Sequence, residues 1–141
     1  MTREKIVELF AARQARWNAR DAVGLSRDYA DDAVVESPMF GELRGREKIG
    51  DSYQVLFRTF PDWQFTAGTP LVDGDRVALP FSATATHVGE FLGLPGTNRH
   101  FKIQGVRLFE LADTRILHER RLYDFTGLLI QVGVLKGKLS V

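Results

Sequence analysis

Residues 115–134 read RILHERRLYDFTGLLIQVGV, and this stretch decides the fold prediction. Its first half alternates apolar and polar residues, which is the period of a half-buried β-strand. From Gly127 onward an apolar Leu-Leu-Ile run indicates a short helix. Asp124 stands at the junction. A single carboxylate there is predicted either to cap the helix, through the amide of Thr126 or Gly127, or to act in a pocket.

Upstream of this stretch, the hydrophobic pattern changes from helical to strand-like near residue 64. Apolar residues at helical spacing predict helices over 3–19, 22–29 and 46–59. A brief strand is predicted over 33–36, and alternation with period two predicts strands over 64–71, 75–87, 99–111 and 115–125. Asp73-Gly74 is typical of a hairpin turn. Helices followed by an antiparallel sheet predict one α+β domain over 1–141.

Composition agrees with a single domain and excludes several function classes. The 141 residues are 44% hydrophobic, which is enough for one core and too little for two ordinary domains. With 19 basic and 18 acidic residues the net charge is +1, so neither a nucleic-acid nor a membrane partner is predicted. The absence of cysteine excludes disulfides and thiolate catalysis. Charged residues after Met1, in place of an apolar signal core, predict a cytoplasmic protein.

The last two strands are predicted to form a hairpin that turns at 112–114, with Phe109 opposite Ile116. Regular pairing then places Arg107 opposite His118. We assign the face with the larger apolar residues to a pocket; it carries Phe101, Ile103, Arg107, Phe109, Ile116, His118, Arg120, Leu122 and Asp124. A slip of one residue would exchange the two faces.

The opposite face of this hairpin predicts a partner. It carries Val106, Leu108, Leu117 and Tyr123 among charged residues. Exposed apolar patches of this kind usually mark contacts, so we predict a homodimer through this surface of the sheet.

His87 ends a strand whose inward face is otherwise apolar. In that position it is predicted to lie at the rim or floor of the pocket, near the acid, or to be a structural histidine bonded to a backbone carbonyl. His100 and His118 are the other histidines, and none of the three has the close helical spacing of a zinc pair. No physiological metal is predicted.

Three segments resemble the SnoaL-like polyketide cyclases of the nuclear-transport-factor-2-like (NTF2-like) superfamily. They are Asp124 with Gly127, Leu128, Leu129, Gln131 and Gly133; Phe60-Pro61-Asp62; and His87, Gly89, Glu90, Phe91, Gly93, Pro95 and Thr97. The resemblance covers residues 3–135. It implies a cone in which helices pack against a curved, mostly antiparallel sheet with one open end, closed by the 125–134 segment.

The resemblance also implies a site. Asp124 would be the general acid/base of a cofactor-free cyclase that closes a ring, by aldol-type chemistry, in a small hydrophobic carbonyl compound. An apolar cleft would disfavour the charged form of Asp124 and let it take a proton from an activated carbon. His87 and Arg107 would orient the substrate or stabilise an oxyanion. Further substrate-binding candidates are Trp17, Tyr29, Phe40, Tyr53, Phe57, His118 and Arg120.

The chain also departs from the family's pattern. Arg107 replaces a histidine, and Gly105 stands where glutamine is common. Arg107 and Arg120 beside Asp124 would hold it in the charged form and make it a poor base. The alternative is therefore a non-catalytic module that binds a small ligand or dimerises, with an internal ion-pair network of these arginines, Asp124 and Glu110.

Two other activities of the superfamily are weighed in the same way. A limonene-epoxide-hydrolase-like activity is a third hypothesis, because only Asp124 and Arg107 match that arrangement and Phe109 replaces its second aspartate. Ketosteroid isomerase chemistry is not predicted, since Ser37-Pro38 stands in place of that family's acid-proline step.

Overall fold

The computed structural model describes residues 1–137. Its helices are α1 (Arg3–Asn18), α2 (Ala22–Arg27), α3 (Arg46–Thr59) and α4 (Phe125–Gln131). Its strands are β1 (Tyr29–Ser37), β2 (Gly41–Arg44), β3 (Gln64–Ala67), β4 (Leu71–Asp73), β5 (Arg76–Thr86), β6 (His100–Ala112) and β7 (Arg115–Tyr123). Among these helices none is long and apolar enough to span a bilayer.

The strands form one curved, unclosed sheet in the order β2-β1-β7-β6-β5-β3, with β4 also paired to β5. Neighbours are antiparallel except β1 and β7, which run parallel. Helices α1 and α3 pack against the concave face, where Phe10 meets Phe109 edge to face at 4.9 Å. This arrangement confirms the predicted α+β fold.

Helix α1 shows how the sequence sets the inner face. Thr2 caps the helix, because its hydroxyl oxygen accepts a hydrogen bond from the amide of Lys5 at 3.2 Å. Ile6, Phe10, Arg13 and Trp17 follow at helical spacing, and all four are buried. The stripe therefore carries one charged residue, Arg13, into the core together with its apolar neighbours.

Several predicted boundaries are wrong for local reasons. Strand β1 is longer than the predicted 33–36, because the exposed pair Asp31-Asp32 hides its alternation. The predicted strand 64–71 divides into β3 and β4 around Gly68, whose amide donates to the carbonyl of Pro80 at 2.7 Å. Strand β2 was not predicted.

The predicted register of the β6–β7 hairpin is wrong for two reasons: at the turn Ile116 pairs with Leu111, two residues from the predicted Phe109, and a β-bulge then adds one further residue. Leu111 pairs with Ile116 but Glu110 pairs with His118, so Leu117 has no partner on β6. An extra residue on one strand reverses the alternation of side chains beyond it.

Because of the bulge, the predicted pocket face is right on β6 and wrong on most of β7. Phe101, Ile103, Arg107, Phe109 and Ile116 are buried as predicted. Beyond the bulge the inward residues are Glu119, Arg121 and Tyr123, whereas the predicted His118, Arg120 and Leu122 lie on the outer face. Tyr123, predicted for the outer face, is therefore an inner residue.

The end of the cone near α4 is closed by aromatic side chains. Phe91, in the segment between β5 and β6, contacts Phe60 at 5.7 Å and Phe125 at 6.1 Å between ring centroids. Phe125 also contacts Tyr123 at 6.4 Å. The core inside this closure is rich in aromatic residues, and Trp17 stacks on Phe65 at 4.4 Å.

Candidate functional site

A buried polar cluster lies inside the cone. Helix α1 contributes one member, α3 one, and β1, β6 and β7 the others; the cluster consists of Arg13, Tyr29, Tyr53, Arg107, Glu119 and Arg121. None of these side chains is more than 5% exposed. Buried charges on this scale are costly unless they are paired, so the bonds inside the cluster decide what it can do. We refer to these six residues as the interior cluster.

Glu119 is the acceptor at the centre of the interior cluster. Its Oε2 accepts hydrogen bonds from Arg107 Nη1 at 3.0 Å and from Arg121 Nε at 2.8 Å, and its Oε1 accepts one from the Tyr29 hydroxyl. Burial alone would raise the pKa of Glu119, but Arg121 and Arg107 outweigh it and lower the pKa to about 2. Glu119 is therefore ionised at neutral pH and is a weak base.

Two tyrosines connect Glu119 to the helices. The Tyr29 and Tyr53 hydroxyl oxygens lie 2.7 Å apart, and Tyr53 also accepts from Arg13 Nη2 at 3.1 Å and from Arg121 Nη2 at 3.3 Å. Burial and the charge of Glu119 raise the pKa of Tyr29 well above its usual value. Tyr29 thus stays protonated and acts as a donor to Glu119.

Arg107 is less completely bonded than the other arginines of the cluster. Its Nε is buried and has no hydrogen-bond partner within residues 1–137. The guanidinium carbon lies 5.1 Å from the ring centroid of Trp17, 4.8 Å from that of Phe65 and 5.0 Å from that of Phe81. Burial, and then repulsion by Arg121, lower the pKa of Arg107. Cation–π attraction therefore stabilises a charge whose donors are only partly used.

A small enclosed space adjoins Arg107. Its volume is about 10 Å³, which is room for one water molecule. Its lining combines two guanidinium groups, one amide and apolar side chains: Phe10, Arg13, Gln14, Trp17, Phe65, Ala67, Leu79, Arg107 and Phe109.

The interior carries a surplus of positive charge. Arg13, Arg107 and Arg121 are buried together with one carboxylate, Glu119. Asp28, at the edge of the cluster, lies 2.9 Å from Arg13 Nη1, but it also pairs with Arg16 at 2.5 Å. The described residues thus leave about one guanidinium charge inside the cone without an acid of its own.

Asp124 lies outside this cluster. It is exposed at the N-terminus of α4, where its Oδ1 accepts a hydrogen bond from the amide of Gly127 at 2.8 Å. The predicted cap through Gly127 is therefore present. The predicted ion-pair network of Asp124 and Glu110 with arginines is wrong, because the bulge in β7 turns Glu119 inward and Glu119 takes the place of both acids.

The other predicted polar residues are dispersed. His118 lies on the outer face and pairs with Glu36 at 2.9 Å, and Arg120 is exposed on the same face. His87 is 1% exposed, with its Nδ1 3.2 Å from the Thr97 hydroxyl rather than against a backbone carbonyl. Since β6 pairs Arg107 with Leu79, His87 lies roughly 25 Å further along β5, at about 3.3 Å per residue. The structure therefore does not bring His87 to Arg107.

The aromatic residues predicted as walls lie in the core or pack against it. Tyr29 and Tyr53 belong to the interior cluster, and Trp17 packs edge to face against Tyr53 at 5.3 Å. Phe57 contacts Trp17 at 5.8 Å and Tyr53 at 6.3 Å. Phe40 is partly buried against the core. These contacts give the cone an aromatic lining next to the charged groups.

Three members of the interior cluster were not predicted as site residues. Arg13 could have been found, because it occupies a position on the apolar stripe of α1. Glu119 and Arg121 carry no such signal, since the bulge alone decides that they point inward.

Comparisons with known proteins agree with the fold. The family model described as SnoaL-like polyketide cyclase matches residues 7–132. AclR from Streptomyces galilaeus, a proposed hydroxylase, has a similar structure with a TM-score of 0.81 and 26% identity over 96% of this chain and 85% of AclR. IdmH from Streptomyces antibioticus, a proposed polyketide cyclase, gives a TM-score of 0.74 and 29% identity over 89% of this chain and 96% of IdmH. TsrD from Streptomyces laurentii, at 23% identity, shares the fold with a TM-score of 0.83 over 96% of this chain and 99% of TsrD. The curated sequences gave no significant match.

Proposed function

Because this chain belongs to the SnoaL-like polyketide cyclase family, we propose that it binds a small hydrophobic carbonyl compound in its cone and catalyses a cofactor-free, aldol-type ring closure. The observation that carries the proposal is Arg107, a buried guanidinium with an unused donor beside an aromatic lining.

Aldol-type ring closure develops negative charge on oxygen twice. A carbonyl oxygen becomes an enolate when the neighbouring carbon loses its proton, and the attacked carbonyl oxygen becomes an alkoxide when the carbon–carbon bond forms. Fixed donors in a water-poor site stabilise such charge strongly. Arg107 can serve as this donor but not as an acid, because arginine keeps its proton near neutral pH. Glu119 holds Arg107 Nη1 at 3.0 Å and so fixes the donor's position.

The proton acceptor in this proposal lies outside the interior cluster. Glu119, with its pKa at about 2, is too weak a base for a carbon acid. Asp124 is the candidate, since it stands between the partly buried Tyr123 and Phe125 at the closed end of the cone and uses Oδ1 for its cap. Its second oxygen is the one proposed to accept the proton.

Binding in this proposal requires side chains to move. The free space of about 10 Å³ beside Arg107 is far below the roughly 300–1,000 Å³ of ordinary ligand pockets. Phe57, Tyr123 and Phe125 are only partly buried, and they are the side chains we propose to rotate outward. Association rate constants below about 10⁵ M⁻¹s⁻¹ are the expected consequence, because binding that needs a conformational change is slowed.

A second candidate is a non-catalytic member of the family that binds a ligand or dimerises. It is favoured by the engagement of both Glu119 oxygens and by the cap made by Asp124. On the outer face, Leu108, Leu117 and Leu122 are 39%, 41% and 44% exposed. This apolar row on the sheet supports the proposed homodimer. The epoxide hydrolase hypothesis has weaker support, because Arg107 contacts one carboxylate, Glu119, where that chemistry uses two.

The proposal is tested by screening hydrophobic 1,3-dicarbonyl compounds that carry a further ketone at ring-forming distance by thermal shift, and then following cyclised product by chromatography. Ligands that bind only the folded state raise the melting temperature. We expect shifts with the wild type and with Arg120→Met, whose side chain is exposed on the outer face, and none with Arg107→Met. The absence of any response across a broad panel would contradict a ligand in the cone, and binding without product would favour the second candidate.

A further inference from the structure

The charge balance of the cone selects among the ligands that the proposed function allows. Of the three buried guanidinium groups, Arg13 pairs with Asp28 at 2.9 Å at the edge of the cluster. Arg107 and Arg121 share one carboxylate, Glu119, whose two oxygens are both occupied. In a low-dielectric interior an unmatched charge is expensive, and a bound counter-charge removes that cost. The interior is thus better matched to an anion than to a neutral carbonyl.

The geometry around Arg107 shows where such an anion fits. Trp17, Phe65 and Phe81 pack around the guanidinium at 4.8–5.1 Å. Donors that remain free lie in the guanidinium plane, and carboxylates bind arginine in that plane. The adjoining space of about 10 Å³ has the size of one oxygen-sized group.

We infer that the ligand of the cone is a flat, aromatic or conjugated oxyanion, a carboxylate or an ionised enol, whose negative oxygen binds beside Arg107. This inference rests on the proposed function, since it names the substrate class of the same site. The oxygen fills the small space next to Arg13 and Arg107. The rest of the molecule replaces the aromatic side chains that move aside.

The charge of the ligand is tested with a matched pair of probes. 2-Naphthoate and 2-acetonaphthone share one ring system and have nearly the same size, but only the first is an anion at pH 7. Each is titrated by calorimetry and by tryptophan fluorescence, for which Trp17 is a reporter 5.1 Å from the Arg107 guanidinium. The same titrations are made with Arg107→Met and, as the matched control, Arg120→Met.

We expect wild type and Arg120→Met to bind 2-naphthoate about 10- to 100-fold more tightly than 2-acetonaphthone, as for a charge-assisted hydrogen bond. Arg107→Met should bind the two probes equally. Equal or tighter binding of 2-acetonaphthone by the wild type would overturn the inference and leave the proposed function standing, whereas binding of neither probe would contradict both. An anion preference that survives in Arg107→Met would also overturn it. If Arg107→Met fails to fold, the comparison of the two probes on the wild type still tests the inference.

Discussion

Replacement of Glu119 by glutamine is expected to destabilise the protein more than its small change in shape suggests. The side chain is fully buried and accepts bonds from Tyr29, Arg107 and Arg121. Glutamine keeps the volume, removes the charge and points an amide donor at groups that are themselves donors. Removing one partner of a buried ion pair costs about 3–5 kcal/mol. Lowering a pKa from 4.5 to about 2 corresponds to roughly 3 kcal/mol, which agrees.

The pH dependence of this loss has a definite sign. The pKa of Glu119 is lower in the folded state than in the unfolded chain, so its contribution is fully present above about pH 4.5 and declines as pH falls towards 2. The difference in unfolding free energy between wild type and Glu119→Gln should therefore be constant from pH 7 to about 5 and shrink below that. A difference that grew on acidification would contradict the assigned charge.

Urea denaturation followed by circular dichroism at several pH values measures this difference, with exposed Glu110→Gln as the control. For a domain of this size we also expect the melting temperature of Glu119→Gln to fall by roughly 10–15 °C at pH 7. Glu110→Gln should stay within about 0.5 kcal/mol of the wild type. A loss below about 1 kcal/mol for Glu119→Gln would refute the reasoning that this carboxylate neutralises the buried arginines.

Two further predictions concern Asp124 and the outer face. Asp124→Asn should change the unfolding free energy by less than about 0.5 kcal/mol, because asparagine caps a helix as well as aspartate, while turnover of a proven substrate should fall about 10²–10⁴-fold; undiminished turnover would refute the role of proton acceptor. Light scattering at tens of micromolar should give the mass of a dimer for the wild type and of a monomer for Leu108→Glu, since Leu108 is 39% exposed on the outer face; a monomeric wild type would contradict the proposed interface.

The fold could be predicted because it follows from periodicity. Helical spacing in 3–19 and 46–59 and alternation after residue 64 recover the order of the longer helices and strands. The pattern misses the short strand β2 and joins β3 to β4. The resemblance to SnoaL-like cyclases is confirmed by the match over 7–132. Hydrophobic pattern is a reliable guide here because most inward positions of β5 and β6 are apolar.

The site could be predicted only in part because its position depends on one extra residue. Arg120 and Arg121 are chemically identical neighbours, and only the parity of β7 decides which is buried. A sequence pattern cannot place the bulge at Leu117, since both parities put apolar and charged residues on each face. Arg107 is on β6, which carries no extra residue, and its predicted inward direction is correct. The acid predicted to bind it is Asp124 or Glu110, whereas the structure shows Glu119.

The interior cluster links stability to the proposed chemistry. The bonds that hold Arg107 in place also keep Glu119 ionised, so a carboxylate that positions an arginine this firmly gives up basicity in return. A site of this kind can stabilise a negative oxygen without reorganising, but Glu119 is too weak a base to deprotonate the substrate. The substrate must therefore arrive already ionised, or its proton must pass to a group elsewhere. An ionised enol satisfies the first condition and Asp124 offers the second. The surplus of buried arginine therefore favours substrates that are themselves easily deprotonated.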